Sequence, residues 1–303
     1  MALKDIKNKI RATDRTRKVT KAMEAVSAVK MRKSQERALL NRGYAEAALR
    51  ILSRIRTTPD IAKSAYITKS GSRECIVIMT SDKGLAGNLN GAVLKLVENY
   101  TKGKDPSSIV AICLGRKGYE YALRKGFDVL HFAVQLNDTI SMGDLEEVSE
   151  KAILSYQTAD IASLSVFFQN FISTFIQEPA RREILPLKRD VIVDMIKGII
   201  PKTGKFSDEE IDGKGVPYIL EPNSETVFDA LIPELVHVLL YHALLEMKAS
   251  EHSARMVAMK NASDNAKEVS KVLTLKYNKA RQAAITREVS EITGGMEAMA
   301  QQK

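Results

Sequence analysis

The two residues that interrupt helices most strongly, proline and glycine, are almost absent from both ends of the chain. All eight prolines and 13 of the 16 glycines lie between Pro59 and Pro233. A proline costs about 3 kcal/mol inside a helix, and a glycine costs about 1 kcal/mol. Residues 1–42 and 234–293 contain neither, so the sequence predicts two long terminal helices.

The C-terminal helix carries a heptad repeat. Alternating steps of three and four residues from Phe228 give 18 positions, 13 of them hydrophobic, which is typical of a coiled-coil seam. Many positions are Ala or Ser, so a partner helix can approach closely while burying little area. The positions are Phe228, Leu231, Leu235, Val238, His242, Leu245, Ala249, His252, Met256, Met259, Ser263, Ala266, Ser270, Leu273, Tyr277, Ala280, Ala284 and Arg287.

The N-terminal helix shows the same steps only in pieces, separated by charged residues. Two helices of these lengths would span about 80 and 90–100 Å, which exceeds a compact domain and favours antiparallel pairing into a rod. The three runs are Leu3, Ile6, Ile10 and Thr13, then Val19, Ala22, Val26 and Val29, then Leu40, Tyr44, Ala47, Ile51 and Ile55.

The middle of the chain alternates between β-rich runs and helical spacing, which predicts a Rossmann-like α/β domain with a mostly parallel sheet. Strands are expected at 74–84, 107–115, 127–134, 163–172 and 182–187, with helices at 87–102, 119–125 and 143–159. The expected domains are the N-terminal coiled-coil helix 1–57, the α/β domain 72–195, a Gly/Pro-rich linker 196–222 and the C-terminal coiled-coil helix 223–303.

The positive charge of the chain is concentrated in its first segment. Residues 1–56 hold 16 Lys/Arg against 5 Asp/Glu, whereas the remaining 247 residues hold 30 against 32. This distribution predicts an acidic partner, either a protein or a membrane surface. Nucleic acid is not expected, because Tyr44 is the only aromatic residue in the segment and the cations alternate with apolar residues.

Motifs for catalysis or cofactor binding are missing from the sequence. It contains no G-x(4)-G-K-[ST] loop, and no G-x-G-x-x-G follows the first strand. The loop Ser81–Gly87 ends that strand at the edge where α/β sheets bind ligands. It is either a small anion site or partner contact, or an ordinary βα turn. His237, His242 and His252 lack metal-site spacing, so neither metal nor cofactor is expected.

The sequence also bears on the compartment. The sequence contains no run of 18 apolar residues, so no transmembrane helix is predicted. The charged N-terminus does not resemble a secretory signal. Cys75 and Cys113 both lie in apolar runs and are expected to be buried thiols rather than a disulfide. A reducing, cytosolic compartment is therefore expected.

Several segments resemble the gamma-chain family of F-type ATP synthases. Residues 3–33 are similar to its opening helix, with the block Lys18–Met23 as the most characteristic part, and TSDKGLAGNLN (80–90) is similar to its first loop. Residues 249–266 and 273–295 resemble its closing helix. One departure is Met296 after Gly295, where the family usually has Gly-Ala.

The resemblance implies a non-catalytic central rotor shaft of bacterial type, which couples ion flow to ATP synthesis or hydrolysis and regulates ATPase activity. The implied partners are three alpha and three beta chains around one gamma chain, an epsilon chain and the membrane ring of c subunits. The implied place is the cytoplasmic face of the bacterial inner membrane, with membrane association only through the complex.

The resemblance also implies contact residues, all of them assigned by motif. Contacts with a beta chain are expected at Arg281, Gln282, Thr286, Lys18, Lys21, Met23, Lys30 and Lys83. An apical bearing is expected at Ile292, Met296 and Met299. Contacts with the ring or the epsilon chain are expected at Tyr218 and Glu221.

Two other classes of function remain open on the residues alone. A structural coiled-coil adaptor with an α/β head would explain the helices and the charge. A small-molecule enzyme using the Ser81–Gly87 edge would explain only the sheet. Stoichiometry separates the three classes, because a rotor is a single copy within a larger complex, whereas an adaptor is usually a symmetric oligomer and an enzyme works alone.

Overall fold

The structure is a computed structural model of the chain. It describes residues 3–55, 64, 66–67, 71–187 and 221–300, with the backbone alone at residues 39, 41–55 and 297–300. The expected linker 196–222 lies outside the described residues except for its last two positions.

Ten helices and strands make up the described chain. In chain order they are α1 (Leu3–Ile55), β1 (Arg73–Met79), α2 (Leu89–Thr101), β2 (Ile109–Leu114), α3 (Arg116–Lys125), β3 (Asp128–Ala133), α4 (Glu146–Gln157), β4 (Ile161–Phe171), β5 (Gln177–Leu185) and α5 (Ser224–Ala300). The order of elements is the predicted one. Strand β5 begins five residues earlier than expected. Its first half has no apolar pattern from which a strand could be predicted, because it is polar and contains Pro179. Proline is tolerated on edge strands, and β5 is one.

The five strands form one sheet in the order β3-β2-β1-β4-β5. The first four are parallel, and β5 runs antiparallel to β4. Strand β2 is buried along its whole length, as expected for a parallel strand covered on both faces. The expected fold class, long terminal helices around a mostly parallel α/β sheet, is confirmed.

The chain divides into two compact units, Met1–Val26 with Met256–Lys303, and Ser27–Arg255. In the first unit, Ser270 Oγ donates a hydrogen bond to Asp14 Oδ1 over 3.0 Å, so the two terminal segments lie side by side. In the second unit, α5 packs its apolar residues, from Phe228 to Met247, into the core on one face of the sheet.

The heptad repeat of α5 is buried as predicted. Its positions are buried or partly buried from Phe228 to Ala284, and the last position, Arg287, is exposed.

The second apolar run of α1 faces the opposite way from the prediction. Val19, Val26 and Val29 are 58%, 54% and 57% exposed, while small hydroxyl side chains are buried instead. The buried positions Ile6, Thr20, Ser27, Met31 and Ser34 follow the three-four spacing of the first run. A buried hydroxyl is tolerated here because it bonds within its own helix, as Thr20 Oγ1 does to Thr16 O over 3.0 Å.

One 18-residue window of α5 is apolar enough to cross a membrane by composition, with a mean hydropathy of 1.5. The sequence contains no uninterrupted run of that length, yet the average passes the test. Within the protein 61% of that window is buried, so its hydropathy is that of a core helix.

Candidate functional site

The loop after β1 is closed by its own polar groups. Thr80 Oγ1 accepts from the amide of Gly118 over 2.7 Å, and Asp82 Oδ1 accepts from the amide of Arg116 over 2.9 Å. Asn90 makes two bonds to Ser81, one to its amide and one to its hydroxyl, at 2.9 and 2.7 Å. These side chains tie the loop to α2 and α3, as an ordinary βα turn requires.

The tip of this loop nevertheless exposes side chains that a partner could contact. Lys83 is exposed, and Leu85 is exposed with a positive φ of 65°, a conformation that few residues other than glycine adopt. Arg255, which is paired with Glu251, donates to the carbonyl of Gly84 over 3.3 Å. The sequence singled out Lys83 but not Leu85, and nothing in its residue type signalled the backbone conformation.

The expected contact residues on α1 have different surroundings. Lys18 is exposed, and Met23 is half-buried. Lys21 forms an ion pair of 3.1 Å with Glu24, one turn along the same helix. Lys30 binds within the chain, with its Nζ 2.6 Å from Asp138 Oδ2. The three cations expected on α1, Lys18, Lys21 and Lys30, are therefore not equally available to a partner.

The end of α5 carries the other expected contacts. Arg281, Gln282 and Thr286 are exposed, and Thr286 Oγ1 bonds to Gln282 O within the helix over 3.0 Å. Ile292 and Met296 are 64% and 63% exposed. Glu221 is exposed at the start of the C-terminal segment. Tyr218 and the side chain of Met299 lie outside the described residues.

The exposed end of α5 is more apolar than the site prediction recognised. Ile285 and Val289 are exposed together with Ile292 and Met296, at helical steps of four, three and four residues. Side chains at this spacing share one face of a helix. This apolar spacing is visible in the sequence, but it lies on a different face from the heptad repeat, which ends at Arg287.

Both cysteines are buried, and two histidines make close contacts within the described chain. Burial raises the pKa of the Cys113 thiol to about 12 and raises that of Cys75 as well, so neither is a thiolate near neutral pH. His242 lies 3.2 Å from Glu246 in the core, and His237 Nε2 lies 2.7 Å from the carbonyl oxygen of Met142. Within the described ranges, no group of three or more His, Cys, Asp and Glu is placed to hold a metal ion.

Comparisons with known proteins cover nearly the whole chain. The family model described as ATP synthase matches residues 2–299. The ATP synthase gamma chain of Heliobacterium modesticaldum is 37% identical over 300 residues, covering 98% of this chain and 99% of that one. The gamma chain of Cupriavidus metallidurans is 38% identical over 299 residues, with the same coverage.

Solved structures share the fold at lower identity. A chain of the Euglena gracilis mitochondrial ATP synthase OSCP/F1/c-ring structure aligns with a TM-score of 0.64 and 18% identity, covering 98% of this chain and 94% of that one. A chain of the rotor structure from the same organism gives a TM-score of 0.61 and 17% identity, covering 93% of this chain and 98% of that one.

Two long terminal helices, with a mostly parallel sheet between them in sequence, define a coiled-coil protein with an α/β domain. The chain belongs to the ATP synthase gamma-chain family, as the whole-length matches show. The family expected from the sequence, that of ATP synthase gamma chains, is confirmed.

Proposed function

We propose that this chain is the single central shaft within a ring of three alpha and three beta chains, with the epsilon chain and the ring of c subunits at its foot. The observation that carries the proposal is the match to gamma chains over 98% of the chain at 37–38% identity. A match confined to the helices would leave the adaptor class open, but this one includes the α/β domain.

The exposed end of α5 forms the proposed upper bearing. A continuous apolar face at Ile285, Val289, Ile292 and Met296 is costly in water and calls for an apolar surround. The alpha and beta chains would supply this sleeve around the helix, with Met299 as a further member. An apolar surround without directional bonds holds the axis in place while the helix turns, because hydrophobic contact is non-directional.

At the lower end of this bearing, polar side chains of α5 would contact a beta-chain loop. Arg281, Gln282 and Thr286 are exposed and lie within six positions of one another. An arginine beside an amide and a hydroxyl offers several donors, so it suits carboxylates and backbone carbonyls. In the proposal, these contacts form and break as each beta chain is passed.

The outward face of α1 would contact acidic beta-chain loops. It combines the exposed cations Lys18 and Lys21 with the exposed side chains of Val19 and Val26. Attraction between charges extends only about 8 Å at physiological salt, so the cations act near contact distance. Met23, Lys30 and Lys83 complete the expected set, and Lys30 is also paired with Asp138.

The foot of the shaft is assigned by resemblance alone. Glu221 is exposed where the described chain resumes, and Tyr218 precedes it in sequence. We assign both to contacts with the ring or the epsilon chain. The chain would thereby be peripheral, at the cytoplasmic face of the bacterial inner membrane, held there through the complex.

The chain itself would catalyse no reaction. Its part is to change the state of the nucleotide sites of the beta chains. The loop after β1 supports this, because its polar groups are bonded to α2 and α3. Its role in regulating ATP hydrolysis would follow from the same contacts.

The first test is assembly with the alpha and beta chains of the same source. Native mass and ATP hydrolysis are measured with and without this chain. One copy per three alpha and three beta chains, with hydrolysis dependent on it, is the expected result. A symmetric oligomer of this chain that binds neither alpha nor beta chains would contradict the proposal in favour of the adaptor.

The contact at Arg281 gives a sharper test. In the assembled enzyme, Arg281→Ala should lower ATP-driven proton pumping by about ten-fold, the effect of losing about 1.4 kcal/mol of interaction. The matched control is Lys279→Ala, which removes another exposed cation two residues away. Equal pumping by both variants, each with an unchanged helical signal, would remove Arg281 from the contact set.

A further inference from the structure

The loop between β3 and α4 is bound to the helices through its backbone. Four alternate carbonyls of residues 136–142, the clamp loop, contact helix side chains. Lys248 Nζ donates to Leu136 O over 2.9 Å, and Arg37 donates to Asp138 O over 2.9 Å. Tyr241 donates its hydroxyl to Ile140 O over 3.1 Å, and His237 Nε2 lies 2.7 Å from Met142 O.

The side chain of Asp138 adds a second tie to both helices. Its carboxylate lies 2.6 Å from Lys30 Nζ on α1 and 2.9 Å from His252 Nε2 on α5. Lys248 Nζ also lies 3.8 Å from Asp138 Oδ1. The hydrogen bond from His252, helped by the one from Lys30, holds the pKa of Asp138 well below its usual range, so the group is ionised near neutral pH.

A local turn presents Asp138 to these partners. The amide of Ile140 bonds to Asn137 O over 3.3 Å, and the Asn137 side chain accepts from the amide of Thr139 over 3.2 Å. Asp138 is therefore fixed at the tip of a turn before it meets the helices. Ordering the acceptor in this way lowers the entropy cost of making each tie.

The donors on α5 form one row along the helix. His237, Tyr241, Lys248 and His252 are separated by four, seven and four residues, which places them within a sector of about 60° on a helix of 3.6 residues per turn. The clamp loop follows this row over four turns. A loop bonded at four positions along a helix cannot slide along the helix axis without breaking those bonds.

Elsewhere α5 contacts the sheet through a few polar bonds and otherwise through apolar residues. Ser250 Oγ donates to Gln169 O over 3.0 Å, and Arg182 donates to Glu246 over 3.5 Å. Residues Phe228 to Met247 pack in the core, and burial of apolar area is non-directional. A small slide of the helix against the sheet would change the buried area little. It would break every tie of the clamp loop, because hydrogen bonds weaken steeply with distance and angle.

We infer that the clamp loop, together with the polar bonds of α5 to β4 and β5, sets the register between the α/β sheet and the parts of α1 and α5 that share its unit. Asp138 is the positioning residue, so that torque passes between sheet and helices without slip. The inference rests on the proposed function as a rotating shaft. It assigns a role to Asp138, which no sequence motif singled out.

The test uses the assembled enzyme in membrane vesicles, where ATP hydrolysis and ATP-driven proton pumping are both measured. Asp138→Ala should lower the protons pumped per ATP hydrolysed by about three- to ten-fold, the range for loss of an ordinary coupling interaction. Lys248→Met, which keeps an apolar stem but removes the donor to Leu136, should lower it less. Asp138→Glu should restore most of the pumping.

The matched control is Asp144→Asn. Asp144 lies six residues further along and accepts only from the amide and hydroxyl of Ser141 in the described contacts, not from a helix donor of the row. This variant should pump as the unmodified enzyme does. Thermal unfolding of each variant, measured separately, shows how far stability alone has changed.

The outcomes separate the inference from the function on which it rests. Normal pumping per ATP in both Asp138→Ala and Lys248→Met, whatever their thermal stability, would overturn the role of the clamp loop and leave the shaft intact. Failure of the unmodified chain to support any pumping would overturn the proposed function and the inference with it. The inference would be supported if Asp138→Ala pumped fewer protons per ATP while Asp138→Glu and Asp144→Asn pumped nearly as the unmodified enzyme does.

Discussion

The sheet and the unit formed by the two terminal segments bury side chains of very different sizes and polarity. Around the sheet, the core contains large side chains such as Phe167, Phe168 and Tyr156. In the unit of terminal segments, the buried positions include Thr20, Ser263 and Ala266. Hydrophobic stabilisation grows with buried apolar area, at about 25 cal/mol per Å². The sheet therefore supplies most of the stability, and the coil depends more on its surroundings.

The difference agrees with what each region has to do. Under the proposed function, a domain that bears on the membrane ring would have to keep one shape, and a tightly packed core gives it that rigidity. A shaft inside a ring of other subunits would leave much of its apolar surface exposed for contact with them. The exposed stripe from Ile285 to Met296 and the exposed valines of α1 are examples.

The largest expected effect is in the core of the sheet. Phe167 is fully buried, and its ring centroid lies 5.3 Å from that of Tyr100. Phe167→Ala should lower the free energy of unfolding by about 3–5 kcal/mol, measured by urea denaturation. Phe175→Ala removes a ring that is 78% exposed and serves as the control. Similar losses in both variants would break the contrast between core and surface.

An intermediate effect is expected at the clamp loop, and it should depend on pH. The pKa of Asp138 is lowered from 3.8, so its contribution is present above that pH and is lost as the pH falls below it. Asp138→Asn should cost about 1–3 kcal/mol at pH 7, the range for hydrogen bonds to charged groups. The same comparison near pH 3 should show a smaller difference. An equal difference at both pH values would contradict the assigned cause.

The smallest effect on stability is expected on the outward face of α1. Val26 is exposed, so Val26→Ser should change the free energy of unfolding by no more than about 0.5 kcal/mol. In the assembled enzyme the same change should weaken binding of this chain to the alpha and beta chains, measured by dissociation on dilution. Ser27→Val, at the adjacent buried position, is the reciprocal variant and should disturb the isolated chain instead. A large loss of stability in Val26→Ser would place this face in the core of the coil.

Much of the architecture was predictable because it depends on local rules. The distribution of proline and glycine predicted both long helices, and alternation of strand and helix patterns predicted the parallel sheet. The α5 seam was predicted position by position, since its heptad matches a single continuous helix. The start of β5 was missed because polar edge strands lack the apolar pattern used to find strands.

The α1 stripe shows where local rules fail. Hydrophobicity favoured Val19, Val26 and Val29 as the inward face, but the inward face holds Thr20 and Ser27. A valine on a helix is apolar whichever way it points, and only the position of the neighbouring helix decides which residue is buried. Small hydroxyl side chains let a neighbouring helix approach α1 closely, while the valines stay exposed on its outer face.

Asp138 is a second case, because nothing in its sequence neighbourhood marks it. Its partners Lys30 and His252 lie more than 100 residues away in either direction. The sequence by itself determined the helices, the strands and the family, since periodicity, helix breakers and motifs are properties of neighbouring residues. Only the tertiary structure decided which face of α1 is buried and which carboxylate joins the two helices, because both depend on contacts between segments distant in the chain.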